Sequence, residues 1–144
     1  MRTVVCTIAR EADVYVAMVR AREFASALGF DDIERTRIEI AVLELTRNVL
    51  AHAVRGEMTL EEIARNTRRG LAVTVRDQGP GIADVELAMR DGFSTKHTLG
   101  AGLPGVKRLM DEFEIETTLG SGTRIRVTKW VTPSNRGSAG RRLV

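Results

Sequence analysis

The glycine-rich run Leu99-Gly100-Ala101-Gly102-Leu103-Pro104-Gly105 lies late in the chain and leads straight into the helical pattern Val106-Lys107-Arg108-Leu109-Met110. A second cluster, Asp77-Gln78-Gly79-Pro80-Gly81, stands upstream of it and opens on a carboxylate. The pair suits a nucleotide: a carboxylate for the base, and backbone amides at a helix start for the phosphates. Their place in the chain excludes familiar alternatives. A dinucleotide fold needs its glycines straight after the first strand, and the first strand–helix junction here, Ala9-Arg10-Glu11, has none. No Gly-x-x-x-x-Gly-Lys-Ser/Thr occurs, so this is not a P-loop protein, and the protein-kinase catalytic-loop signature is also missing.

Hydrophobic spacing supplies the frame. Residues 3–8, rich in β-branched side chains, read as a strand. From Asp13 to Leu28, Val14, Ala17, Ala21, Phe24 and Leu28 recur at helical spacing, and Gly29 stops the run. Asp31 to Ala53 reads as a longer helix. Asp31 and Glu34 stand at capping-box spacing, and Ile38, Val42, Leu45 and Val49 form its apolar stripe. Residues 57–66 read locally as a helix start or as half of a hairpin. Met58, Leu60, Leu71, Val73 and Val75 around the polar turn Asn66-Thr67-Arg68-Arg69-Gly70 favour the hairpin, with a strand over 71–77. A short helix fits 84–90, and a helix from Pro104 to Glu112 has Pro near its first turn. Strands over 113–118 and 123–131 are joined by Gly120-Ser121-Gly122. Helices first and strands later predict an α+β two-layer sandwich: a mixed, mostly antiparallel sheet with helices on one face. The domain is expected over 1–131, with a basic, disordered tail at 132–144 dominated by Pro, Ser, Gly and Arg.

The chain is near neutral apart from that end. Six of its 22 basic residues and none of its 19 acidic ones lie in 124–144, so residues 1–123 carry 16 basic against 19 acidic charges, a net −3. The pI near 9.6 therefore does not describe a basic folded face, and nucleic-acid binding loses its main support. No apolar run approaches the roughly 20 residues of a membrane span. No export signal is legible at the start, and with one cysteine, Cys6, no internal disulfide forms; a cytoplasmic protein is expected.

Several side chains can carry chemistry. Glu44 and Asn48 stack on one face of the long helix, where they either hold Mg²⁺ with phosphate oxygens and aim a nucleophile, or form a solvated polar face. Asp77 ends a strand and can accept from an exocyclic adenine amine, which guanine lacks, while Gly79 and Gly81 leave room for a flat base; a plain Asp-x-Gly turn is the alternative. Phe93-Ser94-Thr95-Lys96 reads either as a lid, with Lys96 reaching phosphates, or as a solvated stretch. Gly120-Ser121-Gly122-Thr123 is either a hairpin turn or a means of bringing the Thr123 hydroxyl to the base. His52, His97 and Cys6 lack metal-site spacing.

In this order the elements resemble the GHKL (Bergerat-fold) ATP-binding superfamily, and most closely its RsbT-type serine/threonine switch kinases of bacterial partner-switching (stressosome) systems. Glu44-Leu-Thr-Arg-Asn48 is similar to the N box, Asp77-Gln-Gly-Pro-Gly81 to the first glycine box, Gly100-Ala-Gly-Leu-Pro-Gly105 to the second and Gly120-Ser-Gly-Thr123 to the last. Asp91-Gly-Phe-Ser-Thr95 and the words from Leu99 to Ile115 carry the likeness to the switch kinases, which runs to about Val131. The resemblance implies that Asn48 ligates Mg²⁺, that Glu44 is the catalytic base, and that Asp77, Gly79 and Gly81 frame the adenine. It also implies that Lys96, Gly100, Ala101, Gly102, Leu103, Gly105 and Thr123 complete the ATP site, with 100–105 as a glycine-rich ATP lid. It implies a Mg-ATP-dependent protein serine/threonine kinase acting on a STAS-domain partner in stress signalling, and binding a PP2C-type phosphatase when released. An anti-sigma-factor kinase, or a nucleotide-dependent binding module with little catalysis, is the alternative. No nucleic acid or membrane partner is implied. The basic tail has no counterpart in the family pattern.

Overall fold

The computed structural model describes residues 1–82, 85–90 and 102–132. Strands β1 (Thr3–Ile8), β2 (Gly56–Arg65), β3 (Arg68–Asp77), β4 (Glu112–Thr118) and β5 (Gly122–Trp130) form one sheet in the order β1-β2-β3-β5-β4. The pairing is antiparallel at every step, with no parallel pair among the described residues. Helices α1 (Glu11–Leu28), α2 (Asp32–His52) and α4 (Gly102–Leu109) form the second layer, and α3 (Val85–Ala88) is a single turn. Alternate strand residues, among them Met58, Leu60, Leu71, Val73, Val75, Ile125 and Val127, are buried in one core with the apolar stripes of α1, α2 and α4. The period of two sends Glu57, Arg76, Arg124 and Arg126 to the other, open face. This is the α+β two-layer sandwich that the order of elements predicts.

Local signals set the element ends. Gly29, at φ +94°, closes α1, and its N–H bonds back to the Ser26 carbonyl at 3.1 Å. Asp31 caps α2 by accepting from the Glu34 N–H at 2.8 Å. The hairpin is tighter than the polar run suggests: Arg65 pairs with Arg68, so only Asn66 and Thr67 turn, with Asn66 at φ +58°. Arg68 and Arg69 join the strand because both side chains find partners there. The Arg68 guanidinium lies 4.5 Å over the Trp130 ring, and Arg69 donates to the Leu28 carbonyl at 3.2 Å.

Two carboxylates tie folding to pH. Asp13 accepts from the backbone N–H groups of Ala9 and Arg10 at 2.9 Å each, and these bonds hold its carboxyl below the ordinary value. Glu112 is likewise held low, first by the Trp130 indole N–H at 2.7 Å and then by Arg65 at 2.9 Å. A carboxyl whose folded pKa lies below its unfolded one adds stability above the unfolded value and loses it as pH falls through the folded one. The urea midpoint is therefore expected to fall between about pH 6 and about pH 3, and Asp13→Asn is expected to shrink that fall. An unchanged pH dependence in Asp13→Asn would remove this assignment.

Candidate active site

The end of β3 is held from both sides. Asp77 is paired in register with Gly56 on β2 and with Thr123 on β5. Its Oδ1 accepts from the Gly79 N–H at 2.9 Å, a tight Asx turn that fixes the carboxylate. Asp77 is half-buried, and Oδ2 accepts no hydrogen bond among the described residues. Glycine is needed twice in the turn that follows. A Cβ on Gly79 would stand 2.7 Å from the His52 carbonyl, because this loop crosses the end of α2. Gly81 has φ +81°, and a Cβ there would stand 2.6 Å from the Thr118 carbonyl.

One side chain in this wall was not legible in the sequence. Thr117, on β4, accepts from the Ile82 N–H at 2.8 Å, donates to the Gly122 carbonyl at 3.3 Å, and lies 3.0 Å from the Thr123 hydroxyl. It pins the Asp77–Ile82 loop to the β4–β5 hairpin. Counting outward from the hairpin turn would have found it, since Thr118 pairs with Gly122 and Thr117 with Thr123. Thr123 itself is buried and sits directly across from Asp77.

Helix α2 meets this loop at its C-terminal end, where Gly79 stands against the His52 carbonyl. Glu44 is buried, at 5% exposure, and Asn48, one turn on, is half-buried. The four-residue spacing puts both on one side of the helix. Helix α4 packs against α2. It begins at Gly102, at φ +70°, so Pro104 falls in its first turn, where no N–H is needed. Leu103 and Gly105 are buried there. The helix stops at Leu109, short of the Glu112 expected: Asp111 donates its N–H to the Thr128 carbonyl at 2.9 Å, and Glu112 already belongs to β4. Lys96, Gly100 and Ala101, with the motif Phe93-Ser94-Thr95, lie outside the described residues, as does the tail from residue 133.

A hollow of about 810 Å³ opens on the other face of the sheet and touches this wall along Gly56, Asp77, Gln78, Thr118, Gly122 and Thr123. Arg55, Arg76 and Arg124 line it together with Glu57, Asp77 and Glu116, so its charges balance and no ligand is read from it.

The described part of the site thus has a carboxylate fixed at a sheet end, hydroxyls beside it, a helix carrying an acid and an amide, and a second helix that starts on glycine. Such an arrangement is neither a Rossmann nor a P-loop site. Residues 7–129 match the histidine kinase-like ATPase domain family. The chain is 45% identical over 124 residues to the serine/threonine-protein kinase RsbT of Bacillus subtilis, which covers 86% of this chain and 93% of that protein. It is 34% identical over 114 residues to an anti-sigma F factor of Caldanaerobacter subterraneus, 75% of this chain and 78% of that one. The crystal structure of the RsbU and RsbW domains of Rv1364c from Mycobacterium tuberculosis superposes with a TM-score of 0.66 at 18% identity; it spans 92% of this chain, which matches 34% of that longer one. The chain therefore belongs to the histidine kinase-like (GHKL) ATPase family, within its RsbT-type branch, and is a serine/threonine-protein kinase with an ATP-binding domain. Among the described residues no helix is long and apolar enough to cross a membrane.

Proposed function

We propose that the chain transfers the γ-phosphoryl group of Mg-ATP to a serine or threonine hydroxyl on a STAS-domain partner, and that it binds a PP2C-type phosphatase when released from that partner. The observation that carries the nucleotide half is the Asp77 carboxylate, held by the Gly79 N–H at 2.9 Å and placed across from the buried Thr123. In this reading Asp77 accepts from the adenine amine, with the Thr123 hydroxyl beside it. Backbone amides of 100–105 take the phosphates at the start of α4. The Asn48 side-chain oxygen, hard and on a helix wall, suits Mg²⁺ shared with phosphate oxygens. The ion, when bound, supplies charge neutralisation on the phosphates. Glu44 takes the proton from the attacking hydroxyl as the new P–O bond forms and the bond to the leaving ADP breaks. The similarity to RsbT supports the partner-switching role, and the partner itself is inferred from that family resemblance.

A phosphotransfer assay against STAS-domain proteins encoded beside this gene tests the proposal. Transfer is expected with the parent and is expected to be lost with Asn48→Ala; transfer that survives Asn48→Ala would remove the metal assignment. Asp77→Ala is expected to weaken ATP binding about tenfold to hundredfold, the worth of a hydrogen bond to a charged group. Calorimetric titration reads this, and parent-like affinity would sink the adenine assignment.

A second reading is favoured by the 34% identity to an anti-sigma F factor: nucleotide-dependent capture of a sigma factor or phosphatase. A pull-down that survives Glu44→Ala while transfer is lost would place both activities in one chain.

A further inference from the structure

Lys129 is a lysine in a place where lysines are seldom found. It lies on β5 with its side chain 7% exposed. Such burial is rare unless the ammonium is fully partnered, and here it is. Its Nζ donates to the Leu109 carbonyl at 2.9 Å, stands 2.9 Å from Glu34 Oε2, and is 3.6 Å from Asp111 Oδ1. These partners come from different elements. Leu109 is the last residue of α4, and its carbonyl is one of those a helix end leaves without a helical donor. Glu34 is in the first turn of α2. Asp111, in the turn after α4, is gripped again: its Oδ2 accepts from the Trp130 N–H at 2.7 Å.

The site's own architecture makes that convergence functional. Helix α4 has eight residues, a rigid rod about 12 Å long. Its glycine end faces the phosphates in the function proposed above, and its other end is held by Lys129. The same lysine holds the start of α2, the helix that carries Glu44 and Asn48. Its charge also complements the negative end of the α4 dipole, whose positive end lies at Gly102, where the proposed function puts the phosphates. We infer that Lys129 is a positioning residue for the nucleotide phosphates: by fixing the carbonyl end of α4 to α2 it sets where the amide end stands. This rests on the reading that the start of α4 receives phosphate.

Titration calorimetry with the full chain tests it, using ATP and adenosine as separate probes. Adenosine has the base but no phosphates, so a tie acting through α4 changes one and not the other. Lys129→Met is expected to weaken ATP about tenfold and leave adenosine unchanged, while Lys129→Arg, which keeps charge and donors, stays within about threefold of the parent. Equal weakening of both ligands, or parent-like ATP affinity in Lys129→Met, would overturn the inference. Should Lys129→Met not fold, Glu34→Gln/Lys129→Met removes both charges of the pair and is held to the same outcomes. If the parent binds ATP no more tightly than adenosine, the phosphate reading of the glycine loop fails, and this inference falls with it.

Discussion

Glu44→Gln is expected to slow phosphoryl transfer about a thousandfold while leaving ATP bound with near-parent affinity. The two side chains have nearly the same shape, which matters because Glu44 is buried, at 5% exposure, between Leu43 and Leu45 on α2. Packing volume is therefore kept, while the negative charge and the capacity to accept a proton are lost. A thousandfold loss corresponds to about 4 kcal/mol of barrier, well above what a slight shift of an amide for a carboxylate would cost in binding. Single-turnover transfer of labelled phosphate, with ATP affinity measured in parallel, separates the two effects. A rate within about threefold of the parent would show that Glu44 is not the base, since general-base catalysis contributes at least a hundredfold. A rate that falls in step with ATP affinity would instead make Glu44 part of the binding wall.

What could be read ahead of the structure was local. Gly29 stops α1 and Asp31 caps α2 through short-range backbone bonds, and short-range signals are visible in sequence. The apolar stripe Ile38, Val42, Leu45, Val49 is buried as its spacing predicts. The sequence blurs where a side chain answers to something far along the chain. Arg68 and Arg69 look like turn residues until Trp130 and the Leu28 carbonyl arrive to hold them in β3. The end of α4 depends on the Thr128 carbonyl, and the short reach of α4 on Lys129. At the site, Asp77 and Thr123 were each recognisable as motif residues. That they face each other is a matter of β3–β5 register across a long connection. Thr117 belongs to no motif. Its role comes from standing one pair outside the hairpin, where its hydroxyl meets Ile82, Gly122 and Thr123.

Two glycines of that hairpin separate backbone strain from steric contact, and they give the second large effect. Gly120 has φ +81° and Gly122 φ +121°, so a side chain is strained at either. Around Gly120 nothing lies within 4 Å of an added Cβ, whereas at Gly122 a Cβ would stand 2.0 Å from the Asp77 carbonyl oxygen and 2.9 Å from Gln78 Cα. Gly120→Ala is expected to cost about 1 kcal/mol, the conformational penalty alone, and to bind ATP as the parent does. Gly122→Ala has to push β3 and β5 apart at the Asp77–Thr123 pair. It is expected to cost about 3 kcal/mol of stability, from overpacking added to strain. Its ATP affinity should fall at least tenfold even in the folded fraction, because the carboxylate and hydroxyl proposed to frame the base no longer keep their separation. Urea unfolding of both variants, with titration of ATP into each at a temperature where both are folded, reads the contrast. Equal stability losses at the two glycines, or an Asp77 pocket in Gly122→Ala that still takes ATP at parent affinity, would mean that the β3–β5 contact does not shape the base site.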